Sequence, residues 1–297
     1  SISFSNTGIA LATTTAGIFY SAVISDIDMD GRPDIILAGN SDTAVNIFRN
    51  TSISGTINFT TLPALSQITT GAAANTLAVG DIDGDGKPDL VTGNSSSSNI
   101  SGLWNTSTGP GNITFGSPIN FNTESNSVGG VSLGDFNGDG KLDIASANYS
   151  TNTVSVLLNA GRSGTIDASS FVVGNALSLI GAPGGNSQGV AIGDINGDGK
   201  PDIVSSSYST PVMSVFINTS TSTLSPAFSG YTAYPTNTSS TDNVGNIISL
   251  ADFNGDGMLD ALATNMGNGL SIFRNLINTP PIFITDFNPK QGTITPT

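Results

Sequence analysis

The chain has 297 residues and a formal net charge of −14, from 22 acidic and 8 basic residues, with neither cysteine nor histidine. These counts exclude disulfides and thiol redox chemistry, remove the commonest general base and transition-metal ligand, and leave no basic patch for nucleic acid. No apolar run reaches the roughly 18 residues that cross a bilayer, which argues against membrane insertion, and the many Gly and Pro punctuate short apolar runs as turns punctuate strands.

In chain order, the sequence opens on SISF, an apolar patch ending at Phe4. The first unit reads SAVIS, then DIDMDGRPD at 26–34, IILAGN, VNIFRN to Asn50, and INF to Phe59. The second reads TLAVG, DIDGDGKPD at 81–89, LVTGN, ISGLWN to Asn105, and ITF to Phe115. The third reads GVSLG, DFNGDGKLD at 135–143, IASAN, VSVLLN to Asn159, and SSF to Phe171. The fourth reads GVAIG, DINGDGKPD at 194–202, IVSSS, MSVFIN to Asn218, and PAF to Phe228. The fifth reads IISLA, DFNGDGMLD at 252–260, ALATN, and LSIFRN to Asn275. The first Asp residues of these loops stand 55, 54, 59 and 58 positions apart.

Such self-similarity is the signature of a repeat architecture. The runs are short, rich in Val, Ile and Leu, and partly alternating, which predicts strands rather than helices. About four strands per unit predict an all-β fold, a β-propeller of five four-stranded blades over residues 1–278. An N-terminal SISF strand would complete the last blade and close the ring, leaving no free sheet edge. The stretch PPIF at 280–283 is the alternative partner. From 279 to 297 the pattern changes, and its paired prolines favour an extended linker.

The acids are concentrated. Of 22 Asp and Glu, 17 lie in the five loops, and the rest are Asp42, Glu124, Asp167, Asp242 and Asp286. Each loop reads D-x-[DN]-x-D-G-x-x-D, with oxygens spaced to curl around a hard cation that takes 6–8 oxygen ligands. The predicted ligands of the first loop are Asp26, Asp28, Asp30, the carbonyl of Arg32, and Asp34; those of the second are Asp81, Asp83, Asp85, Lys87 and Asp89. The third set is Asp135, Asn137, Asp139, Lys141 and Asp143; the fourth is Asp194, Asn196, Asp198, Lys200 and Asp202; the fifth is Asp252, Asn254, Asp256, Met258 and Asp260. The seventh position of each loop contributes only its backbone carbonyl, so its side chain varies. The sixth is always Gly, which accepts the required turn without a Cβ penalty. The apolar second position (Ile27, Ile82, Phe136, Ile195, Phe253) anchors the loop in the core. An EF-hand is rejected, because position 12 is Leu37, Thr92, Ser146, Ser205 or Ala263 and the flanks are β-rich. Mg²⁺ suits such cages poorly, so about five Ca²⁺ are expected, which would bring the net charge from −14 to −4.

The five loops and their strand–loop–strand setting resemble FG-GAP/VCBS repeats, the calcium-loop propeller blades of integrin α-chains and many bacterial surface proteins. The resemblance covers residues 1–278, without the Phe-Gly-Gly-Ala-Pro signature, and implies one ion per blade in the hairpin between two adjacent strands. The tail ITDFNPKQGTITPT resembles the opening of an IPT/TIG immunoglobulin-like domain, which implies a longer parent in a multi-domain or fibrous assembly. The function expected is a non-enzymatic extracellular or cell-surface module, bacterial in character, for adhesion or for binding a carbohydrate or protein at a propeller face. A structural spacer is the alternative, and a calcium-assisted polysaccharide lyase or hydrolase a more distant one. Trp104, Tyr149, Tyr208, Tyr231 and Tyr234 are candidate sugar platforms. Tyr149 and Tyr208 follow the second runs of adjacent units, whereas Trp104 reads as core, in the place of Phe48, Leu157, Phe216 and Phe273.

Overall fold

The structure is a computed structural model that describes residues 10–11, 18–39, 45–62, 74–95, 97–123, 127–161, 164, 166–173, 177–178, 186–208, 212–223, 225–235, 243–266, 269–277, 286–288 and 293–295. Five antiparallel sheets follow one another along the chain. The first blade is β1 (Phe19–Ser25), β2 (Asp34–Gly39), β3 (Asn46–Asn50) and β4 (Phe59–Thr61), in that order. The second is β5 (Ala74–Gly80), β6 (Asp89–Asn94), β7 (Asn99–Leu103) and β8 (Ile119–Asn122). The third is β9 (Val128–Gly134), β10 (Asp143–Asn148), β11 (Thr153–Asn159) and β12 (Phe171–Val173), with β13 (Leu177–Ser178) also pairing β11. The fourth is β14 (Ser187–Gly193), β15 (Asp202–Ser207), β16 (Val212–Phe216) and β17 (Thr232–Pro235). The fifth shows β18 (Asn243–Ala251), β19 (Asp260–Met266) and β20 (Gly269–Phe273) among the described residues. The fold is the all-β propeller of five blades that the repeat predicts. Beyond it, β21 (Asp286–Asn288) and β22 (Thr293–Thr295) pair as a hairpin. The SISF and PPIF patches lie outside the described residues.

The core sits between blades. Ile36, Ala38 and Ile47 of the first blade meet Leu77, Leu90 and Leu103 of the second. Equivalent clusters join the second blade to the third, the third to the fourth, and the fourth to the fifth. The second strand of a blade is therefore covered on both faces: every residue of β6, β10 and β15 is buried. That is why these runs read as continuous small and apolar residues rather than alternating ones.

The apolar second position of each of the first three loops is buried by the next blade. Ile27, Ile82 and Phe136 are fully or almost fully buried in the interfaces ahead of them. Phe253, on the last blade, is 51% exposed, as are Leu270 and Ile272 to a similar degree. Ile24 on the opposite flank of the first blade is 68% exposed.

An Asn bolts each blade to its predecessor. Asn105 Nδ2 donates to the Ile27 carbonyl of the first blade at 2.9 Å and to Pro88 of its own at 3.0 Å. Asn159 does the same to Ile82 and Leu142, Asn218 to Phe136 and Pro201, and Asn275 to Ile195 and Leu259. Each of these Asn residues is the one that ends a third apolar run. The four Phe residues after the first loop pair across from them, Asn50 with Phe59, Asn105 with Phe115, Asn159 with Phe171 and Asn218 with Phe228. Phe59 and Phe171 begin β4 and β12, whereas Phe115 and Phe228 form isolated bridges ahead of β8 and β17.

Asn159→Ala removes a buried amide and leaves the Ile82 and Leu142 carbonyls without it. The expected loss is about 2–4 kcal/mol of stability, read as a lower denaturation midpoint; an unchanged midpoint would refute the bolt.

Candidate metal centre

All five loops share one backbone frame at the end of the blades where the first and second strands meet. Two residues per loop have left-handed backbone. The sixth position has φ of 86° at Gly31, 90° at Gly86, 86° at Gly140, 83° at Gly199 and 85° at Gly257. The fourth position is left-handed too, and is Gly except at Met29, where φ is 57°. The reading of the loop motif foresaw the first glycine and missed the second requirement.

These turns aim amides at the acids. The position-6 N–H donates to Oδ2 of the first Asp at 2.7 Å in Asp26, 3.0 Å in Asp81 and 2.8 Å in Asp135, Asp194 and Asp252. The position-7 N–H donates to Oδ1 of the fifth residue, at 2.9–3.0 Å in all five loops. The ninth Asp is a brace. Its Oδ2 accepts from the second-position N–H, as Ile82 to Asp89 at 2.9 Å, and its Oδ1 accepts from the bolting Asn, as Asn105 to Asp89 at 2.8 Å. The same pair of bonds recurs at Asp34, Asp143, Asp202 and Asp260. Each of those oxygens already carries a backbone amide and keeps only its remaining lone pair for a cation.

Carboxylate oxygens of positions 1, 3 and 9 converge. In Asp26, Asp28 and Asp34, and again in Asp81, Asp83 and Asp89, one oxygen from each lies within 4.8 Å of the others. Oxygens around one ion with 2.3–2.6 Å bonds have this separation. Asp28 Oδ1 and Asp81 Oδ1 are buried and have no hydrogen-bond partner. An all-oxygen donor set with shielded, unpartnered carboxylate atoms suits a hard divalent cation. In loops 3 to 5, Asn137, Asn196 and Asn254 take position 3, and each accepts the position-5 N–H at 2.8–3.0 Å. The amide oxygen keeps a lone pair for a cation and lowers the loop's charge.

Crowding shows in the electrostatics. Burial pushes the Asp89 carboxyl up to about 6 and that of Asp143 up to about 7, against backbone N–H donors acting downward. Burial also raises Asp34, Asp83 and Asp202, with neighbouring loop carboxylates adding to it.

The first loop differs. Arg49, on β3, places Nε 2.5 Å from Asp28 Oδ2 and Nη2 2.7 Å from Asp30 Oδ2, and Arg32 pairs with Asp30 as well. Burial acts to raise Asp28, but the Arg49 guanidinium and the Gly111 amide hold it below the usual carboxylate range. In the second loop Lys87 Nζ sits 2.6 Å from Asp85 Oδ2. The side chains at position 7 are therefore not idle: Arg32 also reaches the Asn50 carbonyl, and Lys141 the Gly161 carbonyl. The motif concealed Arg49, and it concealed Gly111 and Gly164, whose amides reach from the next blade to Asp28 and to the Asp83 carbonyl.

Of the candidate aromatics, Tyr149 and Tyr208 come together with ring centroids 5.9 Å apart, in equivalent places after β10 and β15. Tyr231 packs against Phe216, and Tyr234 against Phe273. Trp104 stands one place later than the core position assigned to it. Strand pairing aligns Leu103, not Trp104, with Phe48, Leu157, Phe216 and Phe273. Trp104 is partly buried and covers Gly102, where a Cβ would lie 2.7 Å from the indole.

Strand order, repeat and acid loops together define a β-propeller of loop-bearing blades. The FG-GAP-like repeat model matches residues 26–92, 81–146, 135–205 and 194–263, and the chain belongs to that family. No curated protein matches it. A protein from Lactobacillus plantarum of known crystal structure is similar in fold, with a TM-score of 0.54 at 12% identity over 90% of this chain and 72% of that one. An Agrocybe aegerita lectin that recognises non-reducing terminal N-acetylglucosamine gives 0.49 at 18% identity, covering 87% of this chain and 67% of that one.

Gly86 has open space around it, so Gly86→Ala strains only the backbone at φ 90°. The expected cost is about 1–2 kcal/mol, seen as a lower melting temperature; no change would refute the left-handed requirement. In chelator, Asp89 and Asp143 also fix a pH dependence. The folded chain retains protons up to about 6 and about 7 that the unfolded chain releases near 4. Their contribution is present in full below about pH 4 and lost as pH rises through 7. Urea midpoints of metal-free protein should fall between pH 5 and pH 7.5, and a rise would contradict the assignment.

Proposed function

We propose that the chain is a non-catalytic, calcium-stabilised propeller module of an extracellular or surface protein that serves adhesion or ligand binding. The observation that carries the calcium reading is the convergence of acids at positions 1, 3 and 9 around shielded, unpartnered carboxylate oxygens in the first two loops. The common frame extends it to five ions, one per blade. Asp81, Asp83, Asp89 and their counterparts would hold the ion, with the position-7 carbonyl completing the shell. A bound cation would relieve the crowding that raises the buried Asp residues, and pin the first-to-second strand hairpin of every blade. Sites of modest affinity fill only where calcium is near millimolar, as outside cells. The first loop should bind most weakly, because Arg49 and Arg32 already offset part of its charge.

Elemental analysis after dialysis against about millimolar calcium should find about five ions per chain. Each site adds about 2.7 kcal/mol at a hundredfold excess over its Kd, so EDTA should lower Tm by at least about 10 °C. Asp81→Ala should remove one ion and leave the others. A chain without bound calcium, melting identically in EDTA, would falsify the reading.

A further inference from the structure

We propose that the axial cavity of the propeller is a binding site for a neutral saccharide, entered from the face opposite the Asp loops. The proposal rests on the ligand-binding reading above and gives it a place and a ligand class. The first strand of every blade, β1, β5, β9, β14 and β18, contributes to one cavity of about 560 Å³. That volume lies in the range of about 300–1,000 Å³ usual for small-molecule sites.

Each of these strands carries a bulge at the end remote from its loop. The register slips at Tyr20, Asn75, Gly129 and Gln188, and again between Val244 and Ile248. An extra residue re-aims side chains out of the ladder, and Tyr20, Asn75 and Gln188 line the cavity. Gly129 and Gly130 let the neighbouring strand come close, since a Cβ at either would lie 2.7 Å from the Gln188 backbone. The bulges of the third and fourth blades therefore pack against each other.

The lining chemistry selects the ligand. Among the described residues that line the cavity there is no Asp, Glu, Lys or Arg, so an ion entering it would lose its hydration without a counter-charge from them. Asn75 Oδ1 and Gln188 Oε1 are buried acceptors with no hydrogen-bond partner. Each costs about 1–3 kcal/mol until a donor meets it. Ligand hydroxyls are neutral donors that also accept from the lining Ser21 and Thr76. Tyr149 and Tyr208, 5.9 Å apart, and Tyr20 supply aromatic faces for the apolar face of a sugar ring.

The test uses the calcium-loaded chain. Saturation-transfer NMR with lactose, maltose and N,N′-diacetylchitobiose identifies a binder, and calorimetry measures its affinity for wild type, Gln188→Leu and Tyr149→Ala. At least one sugar should bind, and each variant should weaken it about tenfold or more while calcium count and Tm stay within error. If Gln188→Leu fails to fold, the Tyr149→Ala comparison decides. No binding at tens of millimolar sugar overturns the proposal. Equal binding to all three proteins overturns the axial site but leaves the binding module standing. A cavity that takes only peptide overturns the ligand class. Failure of the calcium reading is separate, since it appears in the ion count and not in these comparisons.

Discussion

Carboxylates crowded into the hairpin between the first and second strands of every blade are the constraint around which this propeller is organised. Left to themselves, several acids a few ångströms apart repel, and burial makes ionisation harder still. The fold answers with amides from the left-handed turns and with the brace made by the ninth Asp. It adds local cations where Arg49, Arg32 and Lys87 reach in. The proposed ions supply what these partial answers lack, which is divalent charge at the point where the acids converge.

The same hairpins hold neighbouring blades together. The bolting Asn gives its N–H to the ninth Asp of its own loop and its side-chain amide to the second-position carbonyl of the blade before. A loop that splayed would therefore loosen two blades. With the apolar cores also placed between blades, stability depends on each unit meeting its neighbour, as in repeat proteins generally. The exposed Phe253 and Ile24 mark the two flanks where, among the described residues, no such neighbour covers them.

The loop spacing made the blade count, the strand-rich flanks and the acids that converge readable in the sequence, because each depends on residues a few positions apart. Roles that depend on partners 15 to 83 positions away were not readable. The Asn at the end of each third run recurred visibly, but nothing local says that its amide crosses to another blade. Arg49 looks like a surface residue until β3 lies beside the first loop. Trp104 was assigned one place out, although the closing Asn105 already puts Leu103, two places before it, in line with Phe48, Leu157, Phe216 and Phe273. The bulges that shape the axial cavity leave no compositional mark beyond the paired Gly129 and Gly130.

The two ends of the propeller differ in chemistry: one concentrates negative charge, and at the other the described residues line the axial cavity with amides, hydroxyls and tyrosines. Long-wavelength diffraction from crystals grown in calcium tests the central claim most directly. The account predicts an anomalous peak in each Asp loop, bonded to loop oxygens at about 2.3–2.6 Å. Loops without peaks, their acids held only by Arg, Lys and backbone amides, would contradict it.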